Sequence, residues 1–272
     1  MGTSKSLPTP SGGPWTPLKT DVSDFLDGGK TTPFEIVGGA IRAAGLAPPP
    51  PGYRSAERGG GGGGSGGSAG GSGISSRTGR RSGRTSVARA VAGLAGFGAA
   101  VRDSGFQSGL HVLGLDELRG RSTAEIMATI ADHLTEGMDG LQGELLRTAL
   151  REAMFEAAAL GGDPDLTDIA ASLQVYLSSA GPEGLVELFL SHLVFDRVWS
   201  AVESHVNARS DGNGASNAMS TAVHGACQAL VRDYMDELRD KGLMGRVDWF
   251  GRAGIRIGQE IAAQLESRLA AL

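Results

Sequence analysis

A run of glycine and serine in the first third of the chain limits what the whole chain can fold into. Residues 59–73 read GGGGGGSGGSAGGSG and hold 11 of the 44 glycines. Such a segment has almost no apolar surface to offset the conformational entropy that ordering would cost, so it predicts a flexible linker. We therefore expect residues 1–58 to be a mostly disordered N-terminal tail, residues 59–84 a Gly/Ser-rich and then Arg-rich linker, and residues 85–272 the folded domain.

Charge and composition exclude several classes of protein. Residues 1–84 carry 10 Lys and Arg against 5 Asp and Glu, whereas residues 85–272 carry 15 against 25. The arginines between residues 77 and 84 have no interleaved aromatic residue, so we expect no direct nucleic-acid binding. The single cysteine, Cys227, fits a reducing compartment. The longest apolar stretch, Val91–Val101, is too short to cross a bilayer, and the N-terminus lacks the apolar core of a signal peptide. These features predict a soluble cytoplasmic protein without a membrane partner.

From residue 85 onward the apolar residues recur at steps of three and four, which is typical of amphipathic helices. Ser122 and Glu125 have the spacing of a capping box at a helix start, and Gly161 with Gly162 marks a helix end. Asp165 is a candidate cap for a short helix that follows, and Leu185 to Val206 is apolar enough for a buried central helix. The sequence therefore predicts an all-α bundle of about six or seven helices, preceded by a long flexible Gly/Pro-rich N-terminal tail.

The predicted tail contains short hydrophobic islands that are too few and too scattered to form a core. Their most prominent members are Trp15, Leu18, Phe25 and Phe34. Islands of this kind either become ordered on a partner surface or are incidental to a disordered chain. We keep both interpretations and take these four residues as candidates for docking to a partner.

The chain shows no pattern of catalytic or metal-ligating residues. Its five histidines are spread along the predicted helices, without an H-E-x-x-H motif or a Cys/His cluster. We therefore predict no catalytic site, no metal site and no bound cofactor. An enzyme with a site assembled inside the bundle remains an alternative, which would require several of His192, Asp196, Glu203 and His205 to converge.

The N-terminus offers a reactive group of a different kind. Removal of Met1 would expose Gly2, whose α-amine has a pKa of about 7.7–8.0 against about 10.4 for lysine. The larger neutral fraction makes this amine the better nucleophile near neutral pH, and glycine has no side chain to obstruct a narrow active site. Gly2 is therefore a candidate acceptor for conjugation. The pattern M-G-x-x-x-S, with Ser6 in the last position, also fits N-myristoylation and a membrane-associated adaptor. A processed but unmodified N-terminus is the third possibility.

The arrangement as a whole resembles a known family. The resemblance rests on the N-terminal MGTSKS, the segment Ser11–Pro14 that leads into Thr16-Pro17-Leu18, the Gly-rich linker, the all-helical body and the segment Gly114–Arg121, which reads GLDELRGR. Together these features resemble the QatB family of the bacterial Qat anti-phage defence system.

This resemblance implies a non-enzymatic role as a conjugation substrate. A QueC-like ligase (QatC) would activate 7-carboxy-7-deazaguanine with ATP and transfer it to Gly2, which would leave a covalent 7-amido-7-deazaguanine. The residues implied in ligase recognition are Thr3, Ser4, Lys5 and Ser6. The other partners that the resemblance implies are an ATPase (QatA) and a TatD-like nuclease (QatD).

Overall fold

The computed structural model describes Gly13 together with residues 15–44, 76–118, 120–138, 140–162, 168–209, 213–242 and 248–271. Within these ranges the chain forms nine α-helices and one short 3-10 helix, and it forms no β-strand. The helices are α1 (Trp15–Leu26), α2 (Pro33–Ala43), α3 (Ser76–Ser104), α4 (Phe106–Val112), α5 (Thr123–Leu134), α6 (Gly140–Leu160), α7 (Ile169–Arg209), α8 (Asn213–Asp240) and α9 (Arg252–Ala271), with the 3-10 helix at Asp116–Leu118. The predicted all-α fold is confirmed.

The first two helices form a hairpin whose turn is held by its own side chains. The Asp24 carboxylate accepts two hydrogen bonds of 2.8 Å from Thr31, one from the backbone N–H and one from the hydroxyl. α2 then begins with a capping box, in which the Thr32 hydroxyl accepts from the Glu35 N–H and the Glu35 carboxylate accepts from the Thr32 N–H. These bonds satisfy N–H groups that a helix start leaves without partners, and they fix where α2 begins.

Residues 15–44 pack on the rest of the protein, which corrects the prediction that residues 1–58 are mostly a disordered tail. Val22, Ile36 and Val37 are fully buried in one hydrophobic core with residues of the later helices. α1 lies against α7 and α8, and α2 lies against α7, α8 and α9. Leu18 and Val22, one turn apart, share a face of α1, whereas α2 is buried on nearly all sides from Ile36 to Ala43, with Arg42 exposed. These residues are buried because they pack against apolar surface of the neighbouring helices.

Polar contacts also join α1 to α7. The Nε2 atom of His205 lies 3.2 Å from the Lys19 carbonyl oxygen and 3.2 Å from the Ser23 hydroxyl. Arg209 donates a hydrogen bond of 2.9 Å to the Asp27 carboxylate. These partners are 182 to 186 residues apart in the sequence, so they attach the N-terminal hairpin to the C-terminal part of α7.

α3 begins earlier than the sequence analysis predicted, since Ser76 lies inside the range that was assigned to the linker. Its Ala- and Gly-rich stretch Val87–Val101 packs against other helices, and α9 is one of them. A Cβ atom at Gly258 of α9 would collide with the backbone of Ala88. Glycine at that position therefore permits the close approach of the two helices. Residues 59–73 lie outside the described residues, so their flexibility stays a prediction.

α7 is a long helical segment with a break near its middle. At Gly181 φ is 70° and ψ is 173°, a backbone conformation that residues with a Cβ rarely adopt. Pro182 follows and has no N–H to continue the helical hydrogen bonds. The part after the break contains Leu185–Val206, most of which is buried, and this confirms the predicted central helix. No described helix, α7 included, is long and apolar enough to cross a membrane.

Hydrogen bonds at two helix starts test the predicted caps. At α5, Ser122 and Glu125 form the capping box that their spacing predicted. At α7, the Asp168 carboxylate accepts a hydrogen bond of 3.1 Å from the Ala171 N–H. The structure therefore shows this cap at Asp168, whereas the predicted cap, Asp165, lies outside the described residues.

Candidate functional site

The residues predicted to be modified and to contact a ligase belong to the N-terminal segment that precedes α1. They are Gly2, Thr3, Ser4, Lys5 and Ser6, and all of them lie outside the described residues. Their roles therefore stay predictions. The structure does fix the first helix after them, which begins at Trp15.

The four predicted docking residues have different environments. Leu18 is only 2% exposed and belongs to the hydrophobic core. Trp15 and Phe25 are half-buried and pack against the same core. Phe34 is 48% exposed. Leu18 therefore makes intramolecular contacts, although the sequence analysis had placed it in a disordered tail. Phe34 is the most exposed of the four.

Within the described residues, one group of side chains could hold a metal ion: Glu156 of α6, His192 of α7 and His224 of α8. We call these three residues the His–Glu cluster. One ligand atom from each residue lies within 4.8 Å of those of the other two. The Nε2 atom of His192 lies 2.7 Å from the Glu156 Oε2 atom, which is the distance of a hydrogen bond. Imidazole and carboxylate groups are common ligands of Zn²⁺.

Neighbouring side chains hold the His–Glu cluster in place. Gln228, one turn after His224 on α8, donates a hydrogen bond of 3.0 Å to the second oxygen of Glu156. The imidazole rings of His192 and His224 have their centroids 4.9 Å apart, and the Phe195 ring lies 4.9 Å from that of His224. The cluster thus joins three helices at a polar junction inside a mainly apolar bundle.

Two buried polar atoms at or beside the cluster lack a hydrogen-bond partner in the part of the chain that the structure describes. They are the Nε2 atom of His224 and the Oδ2 atom of Asp196. Asp196 lies one helical turn after His192 on α7. A buried polar group left without a partner costs about 1–3 kcal/mol, and such groups are rare in folded proteins. Within the cluster, the Nε2 atom of His224 is therefore the polar atom for which the described residues provide no hydrogen-bond partner.

The electrostatics of the cluster follow from its burial and its hydrogen bonds. The hydrogen bond from His192 lowers the pKa of the Glu156 carboxyl group, although burial acts in the opposite direction. Burial lowers the pKa of His224, so its imidazole is more readily neutral than an exposed one. Burial also raises the pKa of the Asp196 carboxyl group, while the nearby His192 opposes that change. The cluster offers a carboxylate and a neutral imidazole, which are the protonation states that bind metals.

The structure brings together two of the four residues that the sequence analysis named for an enzyme in the bundle. His192 belongs to the described His–Glu cluster, and Asp196 lies one helical turn after it on α7. His205 lies instead against α1, where it contacts Lys19, and Glu203 is exposed. The arrangement that would have favoured an enzyme at these positions is therefore not present among the described residues.

Sequence reasoning missed Glu156 and His224 as members of a cluster. The nearest signal was His224 itself, a polar residue directly beside Val223 in an apolar helical stripe. His224 is so far from Glu156 and His192 in the sequence that the three residues form no metal-ligand spacing that could be recognised. Only the packing of α6, α7 and α8 brings the three side chains together.

Comparison with known proteins places the chain in a family. A family model described as Qat anti-phage system associated protein QatB matches residues 70–246, which is more than half of the 272-residue chain. The matched range includes α3–α8 and all three residues of the His–Glu cluster. No curated protein and no solved structure matches the chain. The family match also contains Gly114–Arg121, one of the segments that carried the resemblance. The chain therefore belongs to the QatB family and is a component of the Qat anti-phage system.

Proposed function

We propose that this chain is a protein substrate in the Qat system, with Gly2 as the acceptor. In the proposed reaction a QueC-like ligase (QatC) joins the carboxylate of 7-carboxy-7-deazaguanine to AMP and releases pyrophosphate from ATP. The α-amine of Gly2 then attacks the acyl carbon, loses a proton and displaces AMP. The product is a 7-deazaguanine amide on the N-terminal glycine. Thr3, Ser4, Lys5 and Ser6 enter the ligase pocket behind it.

The observation that carries this proposal is membership of the QatB family in a chain that begins Met1-Gly2. The α-amine of a processed N-terminus is less basic than a lysine side chain by more than two pKa units, so it is the more available nucleophile near neutral pH. Glycine adds no side chain that would hinder its approach to an acyl group. Both properties suit an acceptor that must enter another protein's active site.

The position of the N-terminal hairpin defines which part of the chain can deliver Gly2 to a ligase. α1 is packed on the body from Trp15 onward. The N-terminal segment, residues 2–14, is therefore the part of the chain that connects Gly2 to the body. An extended chain spans at most about 3.3–3.6 Å per residue, so Gly2 can reach about 45 Å from Trp15. The Gly/Ser-rich residues 59–73 instead join α2 to α3.

The proposed partners follow from membership of the Qat system. QatC would act on the N-terminal segment, whereas the helical body would bind the other components, an ATPase (QatA) and a TatD-like nuclease (QatD). In this proposal the chain itself is not an enzyme. Phe34, which is 48% exposed at the start of α2, is the most accessible of the four docking candidates.

Mass spectrometry of the chain co-expressed with its QueC-like ligase tests the proposal. We expect the intact protein to gain the mass of one 7-carboxy-7-deazaguanine less one water, and the N-terminal peptide to carry this group on Gly2. Gly2→Ala adds a methyl group beside the nucleophile and should reduce the modification, with the folded state unchanged. Gly12→Ala, a matched change in the same segment but away from the amine, should be modified as fully as the parent chain.

Two outcomes would count against this function. An unmodified Gly2, under conditions in which the ligase is active on a control acceptor, would contradict it. A mass gain that corresponds to a myristoyl group would show the alternative suggested by the M-G-x-x-x-S pattern, a membrane-associated adaptor.

A further inference from the structure

We propose that the His–Glu cluster is a binding site for a single Zn²⁺ ion, with Glu156, His192 and His224 as its protein ligands. This site is separate from the conjugation of Gly2, since its three residues lie on α6, α7 and α8. Two imidazoles and one carboxylate are a ligand set that Zn²⁺ uses in proteins, with the fourth position taken by water or another ligand.

The distances in the cluster are close to those that the ion requires. Ligand atoms about 2.0–2.1 Å from a tetrahedral Zn²⁺ stand about 3.3 Å from each other. The three ligand atoms already lie within 4.8 Å of one another. The hydrogen bond between His192 and Glu156 is 2.7 Å long, so zinc would replace it and move these two atoms apart by about 0.6 Å. The His224 nitrogen would approach the other two ligand atoms by up to about 1.5 Å, since all three lie within 4.8 Å of one another.

The unpartnered nitrogen of His224 is the second, independent reason for a ligand here. A histidine–glutamate pair would by itself explain the contact between His192 and Glu156. That pair would not explain the buried Nε2 atom of His224, which has no hydrogen-bond partner among the described residues. Coordination of an ion through Nε2 would give that nitrogen a partner.

The surroundings of the cluster also suit a metal site. Residues that ligate metals are usually oriented by hydrogen bonds from a second layer of side chains. Gln228 supplies such a bond to the oxygen of Glu156 that does not contact His192. Phe195 packs against the ring of His224 and restricts its rotation. His192 is only 9% exposed, whereas Glu156 and His224 are half-buried, so an ion held there would be partly shielded from water.

Titration of the full, tag-free chain with zinc chloride tests the proposal after the protein has been dialysed against a chelator. We expect one Zn²⁺ per chain by calorimetry and a higher Tm in its presence. Gln228→Leu should weaken the affinity by about 10-fold or more, since loss of a second-layer bond has that effect. His224→Gln and Glu156→Gln remove direct ligands and should weaken it at least as much. His205→Gln, which changes a half-buried histidine on α7 outside the cluster, should leave the affinity unchanged.

Cobalt provides a readout that does not depend on stability. Co²⁺ bound by the parent chain should give the intense visible absorption of a tetrahedral site, and both ligand variants should lose it. Circular dichroism of each metal-free variant shows whether it remains folded, and a variant that unfolds is replaced by the other one. Failure of the parent chain to bind one equivalent would overturn the proposal. So would binding that both folded ligand variants retain, because the ion would then lie elsewhere.

Discussion

Cys227 is a small apolar residue of the core rather than a reactive thiol. It is fully buried, and burial raises the pKa of its thiol to about 12. Because the thiolate is the reactive form, we expect alkylating reagents to leave Cys227 unmodified near pH 8 in the folded protein and to modify it fully in denaturant. Mass spectrometry of iodoacetamide-treated protein, with and without denaturant, measures this difference. Rapid modification of the folded chain would show that α8 is not packed as described.

The same burial has a consequence for stability at high pH. The pKa of Cys227 is near its ordinary value of about 9 in the unfolded chain and about 12 in the folded one. The folded state therefore retains a proton that the unfolded state loses between these values. The contribution of the buried thiol to stability is fully present below pH 9 and is lost as the pH rises toward 12.

At the level of single residues, the sequence predicted burial better than it predicted chemistry. Val223, Cys227 and Tyr234 follow one another at steps of four and seven residues along α8, a spacing that indicates one apolar face, and all three are buried. This worked because helical spacing alone determines which residues share a face. The His–Glu cluster was missed because its members come from three helices whose order of packing is not encoded in any local spacing.

The N-terminal hairpin is the element whose role changed most between sequence and structure. If α1 and α2 are part of the core, removal of a buried side chain from α2 must destabilise the whole protein. We expect Ile36→Ala to lower the free energy of unfolding by about 2–5 kcal/mol, because Ile36 is fully buried. Phe34→Ala, on the same helix but 48% exposed, should change it by no more than about 0.5 kcal/mol. Urea denaturation followed by circular dichroism measures both values.

Equal effects of the two substitutions would contradict the packing of the hairpin. A small effect of Ile36→Ala would return residues 15–44 to the tail that the sequence analysis predicted. A large effect of Phe34→Ala would show that its exposed ring supports a contact beyond those described here.

Elements with a complete local signal were predictable, and those that depend on distant partners were not. The capping box of Ser122 and Glu125 lies within four consecutive residues, so the start of α5 could be located from the sequence. α1 and α2 are too short to be stable alone, since isolated helices of about 12 residues are marginal in water. Their stability comes from surfaces on α7, α8 and α9, which lie more than 120 residues later in the chain.

At the scale of the whole molecule, the proposed function gives the two segments that flank the hairpin different tasks, and shortening each one in turn distinguishes these tasks. Removal of residues 59–64 shortens the connection between α2 and α3, which should change the free energy of unfolding by only about 0.2 kcal/mol. It should leave conjugation at Gly2 intact. Removal of residues 7–12 reduces the reach of Gly2 from Trp15 to about 25 Å and should slow conjugation, with stability unchanged. Intact mass and thermal unfolding of both variants measure these effects.

The opposite result would restore the first interpretation of the glycine-rich segment. If removal of residues 59–64 slowed conjugation while removal of residues 7–12 did not, residues 59–73 would be the connection that carries Gly2 to the ligase. The hairpin would then have to leave the body during the reaction.

The attachment of α1 to the body also sets the local concentration of any group that is attached to Gly2. A group on Gly2 stays within about 45 Å of Trp15, a distance fixed by the number of residues between them. Confinement to a volume of that radius is equivalent to a concentration of order millimolar for any receptor docked near α1. Under the proposed function, a receptor with only weak affinity for the free base would therefore still bind the same base when it is attached to Gly2.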